Sequence, residues 1–238
     1  MIVVIGSGKA SPGVSTLAAG LAAAAGQGAV LVEADPDGGS VAPNWQLSVE
    51  VGMQQVAAQT GRGVSVEAVT QAFQPLAGGP AQVLVAPTDS GMARSVLGLA
   101  ARPLAPVVGR LGDPVVIDVG RAGRSSLVWP LVEAADLAVV TCRPRLPEVA
   151  AVAHRCEEFA AAVGQVGIVC VGDSPYPTAE VAEFAGVRLI GVVADDSAGA
   201  AAFSSTGSPK VLRWSPWWRS VRTLATDLFS TPEVAVDG

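Results

Sequence analysis

The chain has 238 residues, half of them hydrophobic and 15% charged, with 15 Lys+Arg against 21 Asp+Glu and a formal net charge of −6. That length and apolar content suit one α/β domain with a large core and exclude global disorder, while no apolar run reaches the roughly 18 residues that a membrane-spanning helix needs. Cys142, Cys156 and Cys170 show no CxxC or zinc spacing, and a single histidine, His154, argues against Ser-His-Asp catalysis.

The apolar start at Met1–Ile5 runs straight into glycines, unlike a secretory signal, so the expected setting is a reducing cytoplasm. Ile2–Ile5 reads as the first strand, and an Ala-rich helix is expected over Val14–Ala25. Further strands are expected at Ala29–Val32, Gln82–Ala86, Pro114–Ile117, Leu137–Val140, Gly167–Val171 and Leu189–Val193. Several of these runs are continuously apolar, as strands buried on both faces are. Helical patterns fill the intervals at Gly52–Thr60, Ala93–Leu104, Glu148–Val163 and Thr178–Phe184. This alternation predicts a single doubly wound, mostly parallel sheet with helices on both faces, over one domain spanning 1–238. A Ser/Gly-rich bend is expected at Ser204–Ser208, a last helix near Trp217–Phe229, and a short tail over 230–238.

The loop after the first strand carries the chemistry. From Gly8 it reads G-x-x-x-x-G-V-S, the phosphate-binding loop G-x-x-x-x-G-K-[ST] with Val14 in place of the lysine. Glycines there let backbone N–H groups converge on phosphate oxygens at a helix N-terminus, and Ser15 falls where a Mg²⁺ ligand belongs. A Rossmann loop from Gly6 and a plain glycine-rich turn are the competing readings. Pro12 opposes the Rossmann reading, because it would fall inside a helix starting near Gly8.

Only two lysines occur, Lys9 and Lys210, against thirteen arginines. Lys9-Ala-Ser-Pro-Gly13-Val14-Ser15-Thr16 resembles the deviant loop K-G-G-x-G-K-[ST]-T of the MinD/ParA family of P-loop ATPases, with Lys9 at the signature-lysine position. The resemblance implies ATP or ADP with Mg²⁺ as cofactor. It places Gly8, Lys9, Pro12, Gly13, Val14, Ser15 and Thr16 around the nucleotide, and it implies a homodimer in which Lys9 reaches the partner's nucleotide. Glu33-Ala-Asp35-Pro-Asp-Gly resembles the family's D-x-D-P-x-G segment, which makes Asp35 the residue that orients the attacking water. Asp-Pro-Asp-Gly is also a good turn by itself.

Pro114-Val-Val-Ile-Asp118 ends an apolar strand in a carboxylate suited to Mg²⁺. Gly120-Arg121 after it departs from the family's D-x-P-x-G. Gly172 stands where relatives place an asparagine against the base, and Asp195-Asp196 resembles their last P-x-D segment. The resemblance covers nearly the whole chain in order.

Val14 supplies neither charge nor donor, so ATP binding and turnover should weaken unless Lys9, Arg121 or Arg124 substitutes. The expected function is a MinD/ParA-like positioning or regulatory protein with weak or absent ATPase. The alternatives are a competent ATPase or ligase with a substitute basic residue, and a nucleotide-independent interaction module.

Ser197–Thr226 holds no acidic residue, while Lys210, Arg213, Arg219 and Arg222 are interleaved with Trp214, Trp217 and Trp218. On a helix Trp217, Val221, Leu224, Ala225 and Leu228 share one face. The plain expectation is a terminal helix packed on the sheet; an acidic protein partner, a lipid surface or DNA contact through 210–222 is the sharper alternative.

Overall fold

The computed structural model describes residues 1–10, 12–206 and 212–230. Eight strands form one sheet: β1 (Ile2–Ser7), β2 (Val30–Glu33), β3 (Gln74–Pro75), β4 (Gln82–Leu84), β5 (Val115–Asp118), β6 (Leu137–Cys142), β7 (Val166–Val171) and β8 (Arg188–Val193). Their order is β3-β4-β2-β5-β1-β6-β7-β8, parallel throughout except for the antiparallel pair β3–β4. β1 lies between β5 and β6, with Val3 opposite both Val116 and Leu137. The β-branched Ile2-Val-Val-Ile run suits this central place, because only apolar side chains avoid a desolvation cost on both faces.

Alternate residues of each strand feed two cores. Val4, Val32, Val115 and Ile117 join one layer with α3 (Met53–Gln59), α5 (Ser90–Leu104), α6 (Trp129–Glu133), α7 (Leu146–Ala160) and α8 (Thr178–Phe184). Val3, Ile5, Leu31 and Val116 face the other layer, with α1 (Val14–Ala25), α2 (Val41–Trp45), α9 (Ser197–Thr206) and α10 (Pro216–Phe229). The short α4 (Val66–Thr70) lies between α3 and β3 in the chain.

Small side chains bring α1 close to α10. A Cβ added to Gly20 would stand 2.9 Å from Trp217. Ser215 begins α10 by accepting the Trp218 N–H at 3.2 Å, and Pro216 follows in the first turn, where its missing N–H costs nothing. Trp217, Trp218, Val221, Leu224 and Ala225 are buried, whereas Arg219 and Arg222 are exposed, so the terminal helix packs its apolar face inward as expected. Phe203 of α9 lies among Trp45, Trp217 and Trp218, with ring centroids 5.2–5.5 Å apart.

One expectation fails here. Ser204 and Ser205 are not a bend but the end of α9. That helix starts from a cap, the Asp196 carboxylate accepting the Gly199 N–H at 2.9 Å, and its Ala-rich body carries it through the serines. Residues 207–208, Lys210 and the 231–238 part of the tail lie outside the described residues. No helix among the described residues is long and apolar enough to cross a membrane.

Candidate functional site

The site lies where parallel strands end, beside β1, at the point where the chain crosses from one side of the sheet to the other. β1 ends at Ser7 and α1 begins at Val14, so the intervening loop sits at a helix N-terminus. Ala10 and Gly13 both take left-handed φ, 58° and 86°. Gly13 is outside the helix, which removes the Rossmann reading. A cleft of about 220 Å³ opens there, lined by Ser7, Gly13, Val14, Ser15, Thr16, Asp35, Ser40, Gly120 and Arg121. Gly13 also borders a second cavity of about 200 Å³, which includes Pro12, Arg143, Asp195 and Asp196.

Predicted loop residues thus divide. Gly13, Val14, Ser15 and Thr16 line the cleft, and Pro12 lines its neighbour. Gly8 lines neither cavity. A Cβ there would come within 2.6 Å of the Ala151 carbonyl oxygen, so β1 can leave the sheet only by running flush against α7. Lys9 is exposed and lines no part of the cleft. Val14 is 5% exposed and belongs to the core packed on α1, so this loop position is part of the hydrophobic layer.

Four carboxylates lie on the strand ends and loops around the cleft, each held differently, and Asp35 is the one that lines it. Asp118 ends β5, fully buried; its Oδ1 accepts the Gly120 N–H at 2.9 Å. Burial pushes its pKa up to about 6, while the neighbouring Ser15 side chain and the Gly120 N–H favour the ionised form. Asp118 Oδ2 is buried with no hydrogen-bond partner among the described residues. Ser7 Oγ is in the same condition. Two unsatisfied buried oxygens beside a third hydroxyl are a hard-oxygen donor set of the kind Mg²⁺ takes, so these residues fit the cation.

Asp35 follows β2, with its carboxyl pressed against the Cα of Gly120, where a side chain would collide. Gly120 has φ 57°, and both facts require glycine. Burial raises the Asp35 pKa, opposed by the Asp37 N–H and then by Arg121 and Arg94.

Glu33 serves as a staple. Its carboxylate accepts the N–H groups of Ser40 at 2.6 Å, Val41 at 2.9 Å and Ala86 at 2.9 Å. It thereby ties the loop after β2 to the loop after β4, although burial pushes its pKa up to about 7. The first acidic place of the family segment is thus spent on backbone, away from the cleft lining.

Two residues that the motifs did not single out complete the site. Asp37 accepts a charged hydrogen bond from Arg94 of α5 and another from Arg121 at 2.8 Å. These groups border a polar cavity of about 310 Å³ with Asp35, Ser125 and Ser126. Arg124, by contrast, is exposed and lines neither cavity. Arg121 is exposed too but lines both cavities, so Arg124 is withdrawn as a substitute.

Gly172, with φ 79°, ends β7, its N–H donating to the Val193 carbonyl at 2.8 Å. Asp196 accepts the Ser215 hydroxyl at 2.7 Å and so joins α9 to α10.

No family model matches the chain, and no curated protein matches it in sequence. Solved structures share its fold. A ParA family ATPase from Chlorobium tepidum aligns with a TM-score of 0.79 at 14% identity, over 95% of this chain and 98% of that one. The cell division ATPase MinD of Pyrococcus furiosus aligns at 0.76 with 19% identity, over 95% and 97%. The septum site-determining protein MinD of Pyrococcus horikoshii, complexed with Mg-ADP, aligns at 0.74 with 18% identity, over 95% of both chains. The chain therefore has the MinD/ParA fold, that of a P-loop NTPase.

Proposed function

We propose that this chain is a nucleotide-dependent positioning or regulatory protein of the MinD/ParA kind, with slow or absent hydrolysis. The observation that carries the nucleotide part is the pair of unpartnered buried oxygens, Ser7 Oγ and Asp118 Oδ2, beside Ser15 at the foot of a glycine-led helix N-terminus. Ser15, Asp118 and Ser7 would hold Mg²⁺, which when bound neutralises phosphate charge. The Gly13–Thr16 N–H groups and the α1 dipole would hold the phosphates. Asp35, borne on the wall of the cleft, is the group for orienting a water. Val14 favours slow turnover, because it contributes none of the charge that builds up on a transferring phosphoryl group.

In this reading two copies pair across their nucleotides and Lys9, exposed and unused by its own cleft, serves the partner's site. A protein partner then senses the paired state, in the cytoplasm. Contact with lipid or DNA through the terminal Trp/Arg segment is not favoured, since Trp217 and Trp218 are consumed by packing.

Calorimetric titration of ATP and ADP with Mg²⁺, on wild type and Val14→Lys, tests the reading. Micromolar binding by wild type with little turnover supports it. Rapid steady turnover would favour a competent ATPase or ligase, and no binding by either protein would favour an interaction module. Sedimentation velocity should show an ATP-dependent dimer that Lys9→Ala abolishes; a dimer indifferent to ATP would refute the pairing.

A further inference from the structure

We infer that Arg121 supplies in cis the positive charge that Val14 withholds, and that Asp37 keeps its guanidinium parked at the cleft mouth until a phosphate competes for it. The inference rests on the nucleotide reading above and adds the residue that makes it workable.

Three cationic side chains were candidates from the sequence for this role, and the fold separates them. Lys9 and Arg124 are exposed and line no part of the cleft; Arg121 lines it together with Gly13, Val14, Ser15 and Thr16. Its main chain is fixed on both sides. Gly120 turns at φ 57° against Asp35, and Arg155 of α7 donates to the Arg121 carbonyl at 3.3 Å. The side chain is 53% exposed, and its 2.8 Å ion pair with Asp37 is what holds it among the described residues, so it can swing without disturbing the core.

Asp37 keeps a second cation, Arg94, when Arg121 leaves. Releasing Arg121 therefore strands no carboxylate. A phosphate, with more charge and three acceptor oxygens, competes well for a planar guanidinium that presents several N–H donors. Arg121 also borders the polar cavity beyond Asp35, so its reach covers both the loop end of the cleft and the place where a terminal phosphate would meet Asp35.

The test is calorimetry with ADP and with a non-hydrolysable ATP analogue, each with Mg²⁺, on wild type, Arg121→Ala, Arg121→Lys, Asp37→Ala and Val14→Lys/Arg121→Ala, with thermal melts confirming folding. Arg121→Ala should weaken analogue binding at least tenfold, as expected for a charged hydrogen bond. Arg121→Lys should retain most of it, and Val14→Lys/Arg121→Ala should regain it. Asp37→Ala should bind at least as tightly as wild type, since it frees the guanidinium and removes a negative charge.

Equal binding by wild type and Arg121→Ala would overturn the inference while leaving the nucleotide reading intact. So would Asp37→Ala weakening binding as much as Arg121→Ala, which would reduce Arg121 to a loop brace. Wild type binding neither nucleotide would overturn the reading itself, and the inference with it.

Discussion

Replacing Asp118 with asparagine should make the fold less sensitive to a rise in pH from mildly acidic to neutral. The substitution keeps the shape of the side chain and the acceptor for the Gly120 N–H, and removes only the charge. Burial lifts this carboxyl to about 6 from its ordinary 3.8, and the Asp35 charge adds to the rise. Holding it ionised in the fold therefore costs about 3 kcal/mol relative to the unfolded chain. A raised acid pKa gives stability that is complete below the unfolded value and is lost as pH climbs through the folded one. Between about pH 5 and about pH 8 that loss is roughly 1.4 kcal/mol, or about 3–6 °C of Tm for a chain of this size.

Thermal melts of both proteins at the two pH values, in EDTA, give the double difference. Glu33, pushed up to about 7, imposes its own fall in the same direction on both proteins, and much of it cancels in the subtraction. The wild type should lose more Tm than Asp118→Asn by the stated amount. Parallel curves would refute the claim that this buried carboxylate is held at a cost. Mg²⁺ with nucleotide should then stabilise wild type and leave the variant unmoved.

Val14→Lys should lower Tm by a few degrees, since it takes an apolar side chain out of the core, while tightening ATP binding about tenfold or more by calorimetry. Gly8→Val should destabilise by about 1–3 kcal/mol in urea titration, because its side chain meets the α7 backbone rather than a flexible neighbour. Trp217→Ala should cost about 3–5 kcal/mol by the same measurement, with α10 loosened from α1. Nucleotide binding should vanish in EDTA, since Asp35, Asp37 and Asp118 outnumber Arg94 and Arg121 near the cleft; binding that persists without a divalent cation would count against the metal assignment.

The seven apolar strands and the loop before α1 were readable because their signals are local: a short β-branched run, a glycine at a turn, an alanine-rich helix start. The two-residue β3 was not, since Gln74-Pro75 has no period to detect and pairs only because Gln82 and Val83 lie opposite. Nor was the role of Glu33. Its three N–H donors come from two distant loops, and nothing in Glu-Ala-Asp-Pro distinguishes a staple from a catalytic acid. Arg94 meets Asp37 across a gap that no helical or strand spacing encodes. Conversely, the motif ties Gly8 to nucleotide, whereas the close approach of α7 requires a glycine there whether or not a ligand binds.

The sheet order imposes a schedule on folding. β1 occupies the middle of the sheet, yet both of its hydrogen-bonded neighbours, β5 and β6, come from the second half of the sequence's first 142 residues. Until Leu137–Cys142 has been made, β1 can have at most one ladder partner, and until Val115–Asp118 it has none. Its apolar faces must wait in a state where α1 alone can shelter them. Such long-range closure is slow and leaves an aggregation-prone strand exposed meanwhile. The phosphate loop, which hangs from the end of β1, therefore takes its working shape only after most of the chain exists, and truncations ahead of β6 should yield no partial nucleotide binder.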